Sequence, residues 1–153
     1  MATLRNDPHG TAVPTVGDHP PIDHAPRVRE AEGDRLVAVA DLGPRQVVEV
    51  RTERFGVLAV GMAKGLPFAV SNVCRHQFAK LGRGRVTEDG CLECPWHRAR
   101  FDVDSGRMVE GPKGRVFGFK PYSAAVRVWG DKLLPLDGHD VEVRDGAIWL
   151  AGN

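Results

Sequence analysis

Two short segments of this chain carry residues that can bind metal. Cys74-Arg75-His76 is followed, after 17 residues, by Cys94-Pro95-Trp96-His97, so each segment offers one thiol and one imidazole. Thiolate and imidazole are the soft and borderline donors that hold zinc, copper and iron. The span between the segments is long enough for a hairpin that returns the second to the first. Two other arrangements compete with a redox centre. One is a closed tetrahedral zinc site with two cysteines and two histidines. The other is four unrelated residues of an ordinary core, where cysteine is commonly buried. Zinc-finger spacing groups two cysteines at one end and two histidines at the other. Here each end carries one of each, which suits a cluster of two metals with different ligands.

The pattern C-x-H-x17-C-x-x-H resembles the ligand motif of Rieske iron–sulfur proteins. The resemblance implies a [2Fe–2S] cluster in which Cys74 and Cys94 hold one iron and His76 and His97 the other. Charge gives that ligand set a consequence. Two ferric ions and two sulfides sum to +2, two thiolates cancel this, and neutral imidazoles add nothing. An electron enters a neutral centre more readily than one at −2, so histidine ligation raises the potential, to roughly −150 to +300 mV across such centres.

The neighbouring residues carry the resemblance further. Arg98 to Gly106 looks like the strand and tight turn that follow the second ligand pair, with Phe101 and Val103 alternating against charged residues. Residues 81–92 read as a hairpin around Asp89-Gly90. Gly111-Pro112-Lys113-Gly114 is similar to the proline loop that covers the cluster in relatives. Trp96, Ala99, Phe101 and Pro112 are thereby expected to surround the cluster. Respiratory members carry a disulfide between the two ligand loops. The corresponding positions here are Ala79 and Trp96, so that staple cannot form. Where those members place a serine and a tyrosine hydroxyl against the cluster sulfurs, this chain has Ala99 and Phe101. Hydrogen bonds to sulfur raise the potential, and their absence predicts a value at the low end of the range, the pattern of the ferredoxin and oxygenase branch. Arg98 stands where relatives usually have glycine. Cys91 is given no ligand role.

The elements that must position these residues read as strands. Leu36–Ala40, Val47–Arg51, Gly56–Gly61 and Leu66–Val70 are short β-branched or apolar runs, punctuated by turn signals at Gly43-Pro44 and Lys64-Gly65. The last run delivers the chain into Cys74. Val141–Arg144, Asp145-Gly146 and Ala147–Leu150 form a plain hairpin with a type I′ signature. An all-β, antiparallel sandwich or barrel follows. The resemblance adds an inserted cluster-binding subdomain at about 72–114 within a domain spanning 34–153. Phe119, Tyr122, Val126, Trp129 and Leu133 recur at helical spacing while Ala124, Val126 and Val128 alternate like a strand; the helical pattern is the longer and favours one short helix near 120–132. Residues 1–33, with Pro8, Pro14, Pro20, Pro21 and Pro26, read as a loosely packed or disordered arm.

Composition excludes several classes of function. With 21 basic and 20 acidic residues the net charge is +1, so nothing argues for nucleic acid. No apolar run approaches the ~18 residues of a membrane span. Absence of an export signal, and of a disulfide framework, predicts cytoplasmic residence. The expected function is one-electron carriage between redox proteins, from a reductase to an oxygenase or similar acceptor. The alternatives are a small electron-transfer subunit of a larger oxidoreductase complex and a zinc-bound interaction module. Too few residues follow His97 to build a separate mononuclear iron domain, so no catalytic site of its own is expected. Arg75 and Arg98, neighbours of the ligands, are candidates for docking an acidic partner.

Overall fold

A computed structural model of the chain describes residues 28–75, 78–111 and 135–152. The arm as far as residue 27, His76, Pro112 and the expected helix near 120–132 lie outside the described residues.

Strands β1 (Val28–Glu30), β2 (Arg35–Ala38), β3 (Val47–Thr52), β4 (Gly56–Ala63) and β5 (Leu66–Ser71) open the chain. β3, β4 and β5 form an antiparallel meander. Lys64 and Gly65, both left-handed (φ 49° and 79°), close the β4–β5 turn, a geometry that follows the natural strand twist. Next come β6 (Arg85–Val86), β7 (Cys91–Glu93), β8 (Arg100–Asp102) and β9 (Met108–Glu110), which build a separate four-stranded antiparallel sheet. β10 (Gly138–His139) then returns to pair with β5, completing a five-stranded sheet in the order β1-β3-β4-β5-β10. β11 (Val141–Arg144) and β12 (Ala147–Leu150) join β2 in a three-stranded sheet. Their turn, Asp145-Gly146, has φ of 50° and 71°, the two positive values a type I′ turn demands. The fold is all-β, as expected. Among the described residues no helix is long and apolar enough to cross a membrane.

The meander is buried on both faces, and its alternation divides the core in two. Leu58 and Val60 of β4, with Val50 and Ala69, face Leu36, Val37, Ile148 and Leu150 of the three-stranded sheet. Ala59 and Ala63, with Val47, Phe68 and Val70, face the other way, onto Cys74, Leu81, Leu92, Cys94 and Phe101. The second core is what seats the loops carrying Cys74 and Cys94 on a rigid sheet.

One expectation is corrected. The sheet begins at Val28, inside the segment read as an arm reaching residue 33. Val28–Glu30 pairs in parallel with Glu49–Arg51, and the Ala31 N–H donates to the Arg51 carbonyl at 2.9 Å. An edge strand held by backbone hydrogen bonds needs little apolar side chain, so its burial pattern left no periodic signal to read.

Candidate metal centre

Two loops of the same backbone design bring the candidate cysteines together. In the first, the Cys74 N–H donates to the Ala79 carbonyl at 2.8 Å and the Phe78 N–H donates to the Cys74 carbonyl at 2.8 Å. In the second, the Cys94 N–H donates to the Ala99 carbonyl at 2.8 Å and the Arg98 N–H to the Cys94 carbonyl at 3.2 Å. The fourth residue after each cysteine turns left-handed: Phe78 at φ 60° and Arg98 at φ 57°. Arg98 therefore adopts the conformation that glycine takes most readily, at a cost of order 1–3 kcal/mol. The first loop leaves the meander at the end of β5; the second is the turn between β7 and β8.

Cys74 and Cys94 are both buried, at 0% and 1% exposure. The Cys74 thiol hydrogen-bonds the Cys94 sulfur and is the main reason the Cys94 thiol is lowered to about 6, against the opposing effect of burial; the backbone N–H groups of Trp96 and His97 also point at that sulfur. Sulfur receiving N–H dipoles in a buried site is poised as a thiolate, the form that ligates metal. His97 is half-buried with its Nδ1 buried, and its ring meets that of Trp96 edge-on at 6.4 Å. The donor chemistry thus fits a thiolate-ligated metal group at Cys74 and Cys94. Ala99 and Phe101 are buried at 0% and 1% and bring no hydroxyl to the site. None of the three cysteines forms a disulfide. Cys91 is half-buried, its thiol 3.8 Å from an Asp89 carboxylate oxygen; burial and then that carboxylate push it above its ordinary value. It is a poor thiolate.

Two buried carboxylates, neither signalled by the motif, hold the loops in place. Glu49 on β3 and Asn72, two residues before Cys74, are each 2% exposed. The Asn72 amide donates to Glu49 Oε1 at 2.8 Å, its oxygen accepts from the Gly82 N–H at 2.7 Å, and Arg83 Nε donates to Glu49 Oε2 at 2.8 Å. Gly82 is required by this approach, because a Cβ there would lie 2.7 Å from Glu49 Cγ and 2.8 Å from its backbone nitrogen. Glu93, next to Cys94, is 4% exposed and collects Arg85 (3.0 Å), Arg100 (3.3 Å) and Arg98 (3.5 Å). Burial pushes its carboxyl up, but hydrogen bonds from Arg100 and Arg85 and the charges of Arg85 and Arg98 outweigh this and hold it below the ordinary value. The sequence offered one clue: Glu93 sits in a β strand between Leu92 and the candidate ligand Cys94, an unusual place for an acid.

Both candidate docking arginines have partners within the chain. Arg75 is bonded to Asp137 at 2.8 Å, which ties the first ligand loop to the approach to β10. Arg98 pairs with Glu93 and remains 56% exposed. The most exposed apolar side chains beside the site are Phe78 (74%) and Trp96 (61%), one from each loop.

Residues 29–123 match the Rieske [2Fe–2S] domain model. Ferredoxin CarAc of Metapseudomonas resinovorans is 25% identical over 118 residues, 77% of this chain and 92% of its own length. The ferredoxin subunit of anthranilate 1,2-dioxygenase from Burkholderia cepacia is 38% identical over 79 residues, 52% of this chain and 61% of that one. Among solved structures, the ferredoxin of carbazole 1,9a-dioxygenase from Nocardioides aromaticivorans IC177 superposes with a TM-score of 0.56 at 25% identity, covering 78% of this chain and 96% of that one. Paired thiol loops seated on a β meander, together with a family match over most of the chain, place it: the protein belongs to the Rieske [2Fe–2S] domain family.

Proposed function

We propose that this chain is a ferredoxin: it receives single electrons from a reductase and delivers them to an oxygenase or a similar acceptor. Cys74 and Cys94 hold one iron and His76 and His97 the other. The cluster, when bound, supplies reversible uptake of one electron at a potential set by its ligands and by hydrogen bonds to its sulfurs. The chain's own residues do the rest. The buried cysteines keep the thiolate iron from water, the Trp96 and His97 N–H groups place positive dipoles on Cys94, and the Glu49 and Glu93 networks fix the two loops against the meander. The observation that carries the reading is the pair of matched loops presenting two buried thiols side by side.

Two further points support it. Several of the relatives are ferredoxin components by name, and the match to one of them covers 92% of its length. Cysteines without disulfides suit a reducing compartment, so cytoplasmic residence belongs to this reading. Ala99 and Phe101 place the potential at the low end of the Rieske range. The test is reconstitution followed by a redox titration monitored by visible absorption. One-electron Nernstian behaviour is expected; a protein that binds iron but shows no reversible one-electron wave would overturn the carrier role.

A further inference from the structure

Beside the second ligand loop lies an open groove of about 410 Å³ whose walls carry Arg45, Arg83, Arg85 and Arg98, with Glu93 and Pro95 completing it. Its charge is lopsided. Arg83 pairs with the buried Glu49, and Arg85 and Arg98 with the buried Glu93, so four guanidinium groups stand against two carboxylates on a protein whose net charge is +1. Arg83, Arg85 and Arg98 keep 44%, 54% and 56% of their side chains exposed despite their ion pairs. Arg45 is exposed, and among the described residues it pairs with no carboxylate; its guanidinium donates to the Arg83 carbonyl at 3.2 Å. The groove also touches Cys94 itself, so an occupant would lie against the thiolate side of the centre.

We propose that this groove is a docking surface for the acidic face of an electron-transfer protein, separate from the surface formed by the exposed rings of Phe78 and Trp96. The proposal rests on the carrier reading for the identity of the occupant. Charge complementarity argues for it: arginines already aligned by Glu93 and Glu49 present fixed forks to carboxylates, and like fields would repel a basic partner. Contact at Cys94 would give the electron a way in that leaves the Phe78–Trp96 side open to a second protein.

The test uses the purified full-length holoprotein and two probes. The first is a fluorescein-labelled hexaglutamate peptide, with binding followed by anisotropy at low ionic strength. The second is the rate at which the reduced protein gives its electron to ferricyanide, compared with the cationic tris(phenanthroline)cobalt(III). Arg45→Glu reverses the charge that pairs with no carboxylate among the described residues, and Arg45→Gln removes it. Arg54→Glu, in the turn between β3 and β4, is the control for net charge, separated from Arg45 by the length of β3, about 20 Å. Arg45→Glu is expected to weaken the peptide about tenfold and to slow ferricyanide severalfold but not the cobalt complex; Arg45→Gln falls between, and Arg54→Glu changes neither by more than about twofold. Equal losses for Arg45→Glu and Arg54→Glu would overturn the groove. So would a wild-type protein that does not bind the peptide, including the case in which Asp7, Asp18 and Asp23 of its own arm fill the site. An iron-free protein would instead sink the carrier reading, and the redox identity of the occupant with it, while the peptide result still decides whether the groove binds acidic surfaces.

Discussion

Asn72 is the residue whose loss should most directly loosen the first ligand loop. It lies on no ligand motif, is 2% exposed, and bridges the meander to the segment Leu81–Arg83 through two side-chain hydrogen bonds, of 2.8 Å to Glu49 and 2.7 Å from Gly82. Asn72→Ala removes a bond to a charged acceptor, about 1.5–3 kcal/mol, and leaves the buried Gly82 N–H without its acceptor, about 1–3 kcal/mol more. The two losses share one side chain and are not strictly additive, so the expected destabilisation is about 3–5 kcal/mol. Glu49 keeps Arg83, so the damage should stay local. Native-state hydrogen exchange reads it most cleanly, because a cofactor protein does not unfold in two states. The opening free energy at the Gly82 and Leu81 amides should drop by that amount, while the Ile148 amide of β12, in the other core, changes little. A drop below about 1 kcal/mol at Gly82 would refute the claim that this network anchors the loop.

Gly82→Ala should fail for a related reason: its Cβ meets the Glu49 backbone nitrogen at 2.8 Å, and overpacking against backbone costs about 1–3 kcal/mol, measurable as faster cluster loss in urea. Phe78→Gly should do the opposite, because a bulky residue at φ 60° with 74% exposure gives up strain and little burial; a gain of about 1 kcal/mol in the opening free energy at the Cys74 amide of the same loop, read by native-state hydrogen exchange, is expected, and a loss of that size would contradict the strain argument. Acid should weaken the fold through Glu93. Its carboxyl is held below the ordinary value of 4.5, so its contribution is fully present above pH 4.5 and is lost as pH falls through the lowered value. Thermal unfolding followed from pH 7 to pH 3 should show a drop below pH 4.5, and Glu93→Gln, already less stable at neutral pH, should show a shallower one.

The family and the strands were legible because their signals are local. Each short Cys/His segment, the alternation along β8 and the Asp145-Gly146 turn need only a few consecutive residues to be seen. Even the Asp89-Gly90 hairpin formed as read: Gly90, at φ 82°, donates its N–H to the Thr87 carbonyl at 2.9 Å. What escaped depends on residues far apart in the chain. Glu49 reaches Asn72 across 23 positions and Arg83 across 34. Acids on a strand read as solvent-facing, since charged residues are seldom fully buried without partners that only the fold supplies. Arg75 and Arg98, candidates for docking an acidic partner, each also pair with a carboxylate of this chain, Asp137 and Glu93, that only the fold brings near. β1 escaped because a parallel edge strand of three half-exposed residues has no pattern of its own.

Pulsed electron paramagnetic resonance of the dithionite-reduced protein tests the central claim most directly, since it detects the nuclei bound to the reduced iron. The account predicts nitrogen couplings from two imidazoles, both altered in a protein labelled with 15N-histidine, and one of them lost in His97→Cys. A reduced protein whose spectrum shows no histidine nitrogen, or one that binds a single zinc and gives no signal, would contradict it.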